Sequence, residues 1–254
     1  MDVIVAASGV PATGDPLYGF TQGKPKALLD VAGRPMLQWV LDALSQAQLI
    51  EHIIVVGCEE HQDEVVLKKP VTFLPTQDDI LGTVRAGGKG LREINPSAKF
   101  VVLASADIPG VTPESVDWVV KTALESDHDV YYNTITREVM EARYPASNRT
   151  FTKLKNVEVG GGDLNVAKTS LLSSNQDLFD RIFKARKNPF KIASIIGYDT
   201  LFLLLTRRLT LDGAIKRVSK RLGIRGRVLV CPYPEIGMDV DKPHQLELLT
   251  QDLA

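Results

Sequence analysis

Apolar and polar positions alternate along the chain in blocks that switch between two periods. Val3-Ile4-Val5-Ala6-Ala7 is a continuous apolar run, the mark of a strand buried on both faces. A loop punctuated by Gly and Pro follows, from Ser8 to about Pro25. Pro35 to Leu49 then predicts a helix, with Met36, Trp39, Val40, Leu41 and Leu44 on one face and Pro35 in its first turn. Ile53 to Val56 and Val71 to Leu74 read as strands. Ile80 to Ile94 reads as a helix weakened by Gly87, Gly88 and Gly90. Phe100 to Ala104 is a further strand, ending at Ser105-Ala106-Asp107. Thr112 can cap the next helix, with Pro113 at its first position, Ser115 at the third, and an end near Leu124.

Strands and helices alternating at this spacing build βαβ units. They predict a Rossmann-like α/β fold: a mostly parallel, twisted sheet with helices on both faces. Ligands of such sheets sit at the C-terminal ends of the strands, so the loops after Ala7 and after Ala104 matter most. From about Asp129 the rhythm changes. Val130 to Asn133, Thr150 to Leu154 and Leu164 to Ala167 are short strand candidates around a Gly160-Gly161-Gly162 turn. A helical stretch is expected from about Gln176 to Leu222, broken near Pro189 and Gly197. A late strand, Val228 to Cys231, and a closing helix, Pro243 to Leu253, complete the reading. One domain over 1–254, with a helical basic elaboration at about 168–225, is the simplest organisation.

Composition narrows the function. The chain has 254 residues, 44% hydrophobic and 24% charged, with net charge -1. That excludes disorder and leaves no global field for nucleic acid. Two cysteines, Cys58 and Cys231, show neither disulfide-scaffold nor metal spacing and read as small core residues. The four histidines form no zinc pattern. The start lacks a basic, long-apolar leader, and no window of about 18 apolar residues exists. A cytoplasmic protein is expected.

The loop from Ser8 to Leu28 carries Gly9, Gly14, Gly19 and Gly23, which can present backbone N–H groups to an anion. Lys24 and Lys26 add point charges that suit phosphate. Neither a Walker A loop nor a dinucleotide fingerprint is present. The following run, Lys24-Pro25-Lys26-Ala27-Leu28 through Gly33-Arg34-Pro35-Met36, resembles the Pro-Lys-x-Leu…Gly-x-Pro element of MobA-like NTP transferases, within the GT-A-like nucleotidyltransferase superfamily. The resemblance implies a GT-A-like fold. It implies nucleotide contacts at Ala7, Ser8, Gly9, Lys24 and Lys26, with Lys26 catalytic. The family's loop arginine is missing here, since none occurs before Arg34. Either Lys24 substitutes for it or the triphosphate is held weakly.

Four more segments extend the resemblance. Gln77, Gly82 and Thr83 match the family's base-reading segment; the other reading is a helix N-terminus capped by Asp78 or Asp79. Asp107, in Ser105-Ala106-Asp107-Ile108-Pro109, matches the family's metal-binding and catalytic Asp. Asp239 and Asp241, in Met238-Asp239-Val240-Asp241-Lys242-Pro243, match its second acidic element. Carboxylates converging this way would repel one another without a cation, so Mg²⁺ is implied. Asp239 is the preferred ligand of the two, because Asp241 also suits the N-cap of the last helix. Gly161, Gly162 and Asp163 resemble the family's element beneath the acceptor.

The chain from Arg181 to Arg227 is strongly basic, with only Asp199 and Asp212 as counter-charges. Arg207 and Arg208 are its candidates for holding an anionic acceptor. Docking to anionic lipid headgroups, or a solvated helix face, are the other readings. The resemblance implies transfer of an NMP from an NTP to a small phosphorylated acceptor, with pyrophosphate released. A glycosyltransferase of the same fold, using Asp127-His128-Asp129, and a non-catalytic nucleotide-binding module are the alternatives. The NTP, the acceptor and the oligomeric state are not encoded in any motif found.

Overall fold

A computed structural model describes residues 1–66, 68–174, 194–195 and 197–254. Its main sheet has nine strands. β1 (Asp2–Ala6) lies between β4 (Ile53–Val56) and β6 (Phe100–Ser105), and β4 pairs outward with β5 (Val71–Leu74), all parallel. Beyond β6 come β10 (Leu164–Lys168), β7 (Val130–Thr136), β9 (Glu158–Gly161) and β8 (Thr152–Lys153), joined by antiparallel pairings. β11 (Gly226–Val230) returns parallel to β7. A separate small hairpin joins β2 (Asp30–Val31) to β3 (Arg34–Pro35).

The period of two in the central strands divides the core. Val3, Val5, Ile53 and Val55 face one side, where they meet α2 (Met36–Gln46) and α4 (Pro113–Leu124). Ile4, Ile54 and Val56 face the other, against α3 (Ile80–Ile94). Burying each such side chain stabilises by roughly 1.5–3 kcal/mol, so these strands tolerate no register slip. Gly87 and Gly90 explain a helix that propensity alone disfavours. A Cβ at Gly87 would collide with Ile4, and one at Gly90 would come within 2.9 Å of Leu74.

Several boundaries match the sequence reading, including β4, β5, α3, α4 and the last helix, Pro243–Leu253. The Thr112 cap forms, and Ser115 returns a bond to the Thr112 N–H, completing a capping box without Glu. Other expectations are corrected. Gly160 and Gly161 belong to β9, and the turn falls at Gly162 and Asp163. Thr152–Lys153 is the only strand within the expected 150–154 segment. A short helix, α5 (Arg137–Arg143), directly follows β7, capped by Thr136; its polar, seven-residue length hid it. Of the expected helical stretch, 175–193 and 196 lie outside the described residues. α6 (Leu171–Ser174), α7 (Tyr198–Leu205) and α8 (Leu211–Leu222) are described, and the closing helix is α9. No helix among the described residues is long and apolar enough to cross a membrane.

Candidate active site

A cleft of about 620 Å³ opens at the C-terminal ends of β1, β5 and β6. The loop after β1 forms its floor. The Lys26 N–H donates to the Gly9 carbonyl at 2.8 Å, which folds the glycine-rich loop back on its start and carries the Lys26 side chain into the cleft. There the Lys26 Nζ lies 2.7 Å from Asp107 Oδ2 and 2.6 Å from Asp241 Oδ1. Its side chain is only 16% exposed. Burial alone would lower its pKa, but the Asp107 and Asp241 carboxylates more than offset that and raise it. Lys26 is therefore a fixed cation at neutral pH and no general base.

Asp107 reaches the cleft because it directly follows β6. Asp239 and Asp241 reach it from either side of Val240. Val240, fully buried, donates its N–H to the Asp107 carbonyl at 3.0 Å, and its two acidic neighbours fall on the opposite side. Ligand atoms of Asp107, Asp239 and Asp241 lie within 4.8 Å of one another. The Asp241 N-cap reading is corrected: Lys242 holds the cap position without a side-chain bond, and the Asp241 carboxylate is spent on Lys26.

On the β5 side, Ser8 links the loop to the base segment. Its hydroxyl donates to the Val56 carbonyl at 3.1 Å and accepts the Gln77 N–H at 3.3 Å. Thr83 Oγ1 is 3.2 Å from Ser8 Oγ. Asp79 caps α3 through the Gly82 N–H at 2.7 Å, so this segment is both a helix cap and a wall of the cleft. Ala7 and Gly9 line the same wall. Sequence reasoning missed Gly57. Its φ is 103°, and a Cβ there would come within 2.6 Å of the Ala7 carbonyl carbon and the Ser8 nitrogen. A glycine directly after a buried parallel strand was the available signal.

On the β10 side, Asp163 lies near the acidic cluster. Its carboxyl is pushed up to about 7, chiefly by burial and next by the Asp107 charge. Its backbone joins Ser105 to Ile236, with N···O distances of 3.0 and 2.7 Å. Gly161 allows the Tyr132 hydroxyl to sit close above it, and Gly162 packs against Asn133. Arg149, the second residue that sequence reasoning missed, forms an ion pair with Asp239. No sequence signal separates it from other arginines. Burial and Asp163 raise the Tyr132 pKa, and Arg149 opposes them, so these three side chains share one electrostatic environment.

Several predicted residues do not line the cleft: Gly82, Gly161, Gly162 and Asp163 lie behind or beside it, and others are farther out. Lys24 is exposed and does not line the cleft. Arg207 and Arg208 are exposed in the loop after α7, beside the exposed stripe Tyr198, Phe202 and Leu205, and line no part of the cleft. Asp127 and Asp129 precede β7, at the opposite end of the strands, and are paired with Lys99, Lys168 and Arg225.

Asp107 Oδ1 is buried and has no hydrogen-bond partner. A buried carboxylate oxygen that accepts no hydrogen bond is costly, and a hard carboxylate set with such an unused lone pair fits a divalent cation.

Comparison with known proteins places the fold. A bifunctional protein GlmU from Zymomonas mobilis is 34% identical over 106 residues, which is 41% of this chain but only 22% of that protein. A 3-deoxy-manno-octulosonate cytidylyltransferase from Geotalea uraniireducens is 25% identical over 93% of this chain and 95% of its own length. The structure of a hypothetical transferase from Thermus thermophilus superposes with a TM-score of 0.83 at 33% identity, covering 96% of this chain and 98% of that one. The family model of the MobA-like NTP transferase domain matches residues 20–178, and the chain belongs to that family of nucleotidyltransferases.

Proposed function

We propose that this protein transfers a nucleoside monophosphate from an NTP to a small phosphorylated acceptor and releases pyrophosphate. An acceptor oxygen bonds to the α-phosphorus, the bond from that phosphorus to the α–β bridging oxygen breaks, and its electron pair leaves on pyrophosphate. An acceptor phosphate is already ionised, so no general base is needed. Asp107, Asp239 and Asp241 would hold Mg²⁺, which supplies charge neutralisation at the phosphoryl oxygens. The chain's own part is positioning and fixed charge. The loop from Ala7 to Gly9 receives the phosphates, Lys26 holds a permanent positive charge against them, and Gln77 and Thr83 face the base, with Gly82 bonded to the Asp79 cap behind them.

The observation that carries this reading is the Lys26 bridge, 2.7 and 2.6 Å from Asp107 and Asp241 at the floor of the cleft. A single cation placed between two carboxylates under a glycine-rich loop suits a triphosphate and its metal. The relatives named as a cytidylyltransferase and as GlmU support the reaction class. The glycosyltransferase alternative loses its motif, because Asp127 and Asp129 are engaged at the far end of the strands. Pyrophosphate release from NTPs crossed with sugar and polyol phosphates, with Mg²⁺ present, tests the proposal. Asp107→Asn should stay folded and lower turnover by about 1,000-fold. Nucleotide binding without pyrophosphate from any pair would establish a binding module instead.

A further inference from the structure

The acidic cluster is neutralised from two directions. Lys26 bonds Asp107 and Asp241. Asp239 forms a separate ion pair with Arg149, although its Oδ1 accepts no hydrogen bond, and the two side chains are only 16% and 13% exposed. Arg149 is also held in place by a specific frame. Asn148 before it adopts a left-handed conformation, φ 48°, which Asn tolerates better than most residues. The Ser147 carbonyl lies 3.4 Å from Gln245 Nε2, and the Gln245 Oε1 accepts the Asp241 N–H at 2.9 Å. One buried amide therefore ties the segment carrying Arg149 to the segment carrying Asp241.

The sheet order fixes which side Arg149 serves. Along the sheet order the base segment follows β5, the Ser8 loop follows β1 and Asp107 follows β6, whereas Asp163 precedes β10, Tyr132 lies in β7 and Gly161 ends β9, beyond the residues that line the cleft. Arg149 is paired with Asp239, and its charge is felt by Asp163 and Tyr132 on the β10 and β7 side. A guanidinium on Asp239 and a divalent cation on the same carboxylate repel each other at close range. A guanidinium released there keeps its planar fork, which suits a phosphate.

We infer that Arg149 is a resident counter-cation of Asp239 that a divalent cation displaces, and that the released guanidinium then holds the anionic group of the acceptor. This rests on the metal reading proposed above. It makes acceptor binding depend on prior cation binding, because Arg149 is occupied until Asp239 is taken.

The test titrates Mn²⁺ into nucleotide-free protein and reads free Mn²⁺ by electron paramagnetic resonance. Arg149→Gln removes the competitor and should bind Mn²⁺ about 10-fold more tightly than wild type. Arg149→Lys keeps a charge but loses the fork, and should fall between the two. If wild type binds no Mn²⁺, the metal reading fails. If wild type binds and the variants bind no more tightly, Arg149 is only a structural partner of Asp239 and the inference is overturned. Should Arg149→Gln not fold, Arg149→Lys decides by the same criterion. The second half is tested with inorganic phosphate, titrated calorimetrically into Mg²⁺-saturated protein. The expected result is phosphate binding weakened about 10-fold in Arg149→Gln. Equal binding would overturn the acceptor role.

Discussion

Gly57 lies outside the matched motifs yet controls one wall of the cleft. Its φ of 103° is unfavourable for any L side chain, and its neighbours at 2.6 Å are backbone atoms of Ala7 and Ser8, which have no rotamer to change. Gly57→Ala would therefore push the start of the phosphate loop away from β4, taking with it the Ser8 hydroxyl and its contacts to Val56, Gln77 and Thr83. The strained conformation costs about 1–3 kcal/mol. The displaced loop should weaken NTP binding about 10- to 100-fold. Calorimetric NTP titration beside a thermal melt checks this: lower stability with unchanged NTP affinity would show that the loop accommodates the methyl. The same residue scale explains what was readable. Lys26, Asp107, Asp239 and Asp241 were legible because each sits in a short run of chemically specific neighbours. Gly57 and Arg149 were not, because their roles depend on which backbone or carboxylate the fold brings beside them.

Within α3 the three glycines look equivalent in sequence but meet different neighbours. Ala is favoured over Gly in a helix interior by about 1 kcal/mol. At Gly87 that gain is lost, because the added Cβ would run into Ile4, a buried β1 residue gripped on both flanks by β4 and β6. At Gly90 the obstacle is Leu74 Cδ1, the end of a partly buried side chain that can change rotamer. Gly87→Ala should destabilise by about 1–3 kcal/mol, the usual cost of overpacking. Gly90→Ala should lie within about 1 kcal/mol of wild type. Urea midpoints of the two variants decide it, and equal midpoints would mean that α3 shifts as a rigid unit. Elements with a plain apolar period or a strong cap, such as β4 and α4, were legible to the residue. α5 and β9 were not. The first is short and mostly polar, and the second is defined by pairing with β7 through glycines that read locally as a turn.

Across the whole molecule, chemistry and cohesion occupy opposite ends of the strands. Asp107, Lys26 and Asp241 gather where the parallel strands end. Where β6, β7 and β11 begin, Asp129 collects the end of β10 and the entry to β11. Its carboxylate accepts Lys168 Nζ at 3.0 Å and the Arg225 N–H at 2.8 Å, and its backbone N–H donates to the Arg225 carbonyl at 2.7 Å. Burial would raise the Asp129 pKa, but the Arg225 N–H and the Lys168 ammonium pull it down to about 2. The folded value is depressed below the unfolded value of about 3.9. The stabilisation is therefore complete above about pH 5 and is lost as pH falls toward 2. Allowing for partial exposure, it amounts to about 1–2 kcal/mol. Asp129→Asn should lower the thermal midpoint by roughly 2–8 °C at pH 7. The gap to wild type should close progressively between about pH 5 and pH 2, while turnover at pH 7 stays unchanged, because no cleft residue touches Asp129. Thermal melts across that pH range, with pyrophosphate release at pH 7, provide the check. A gap independent of pH would mean that the backbone pairing of residues 129 and 225, and not the charge, secures β11. A loss of turnover without loss of stability would return the Asp-x-Asp motif to the chemistry.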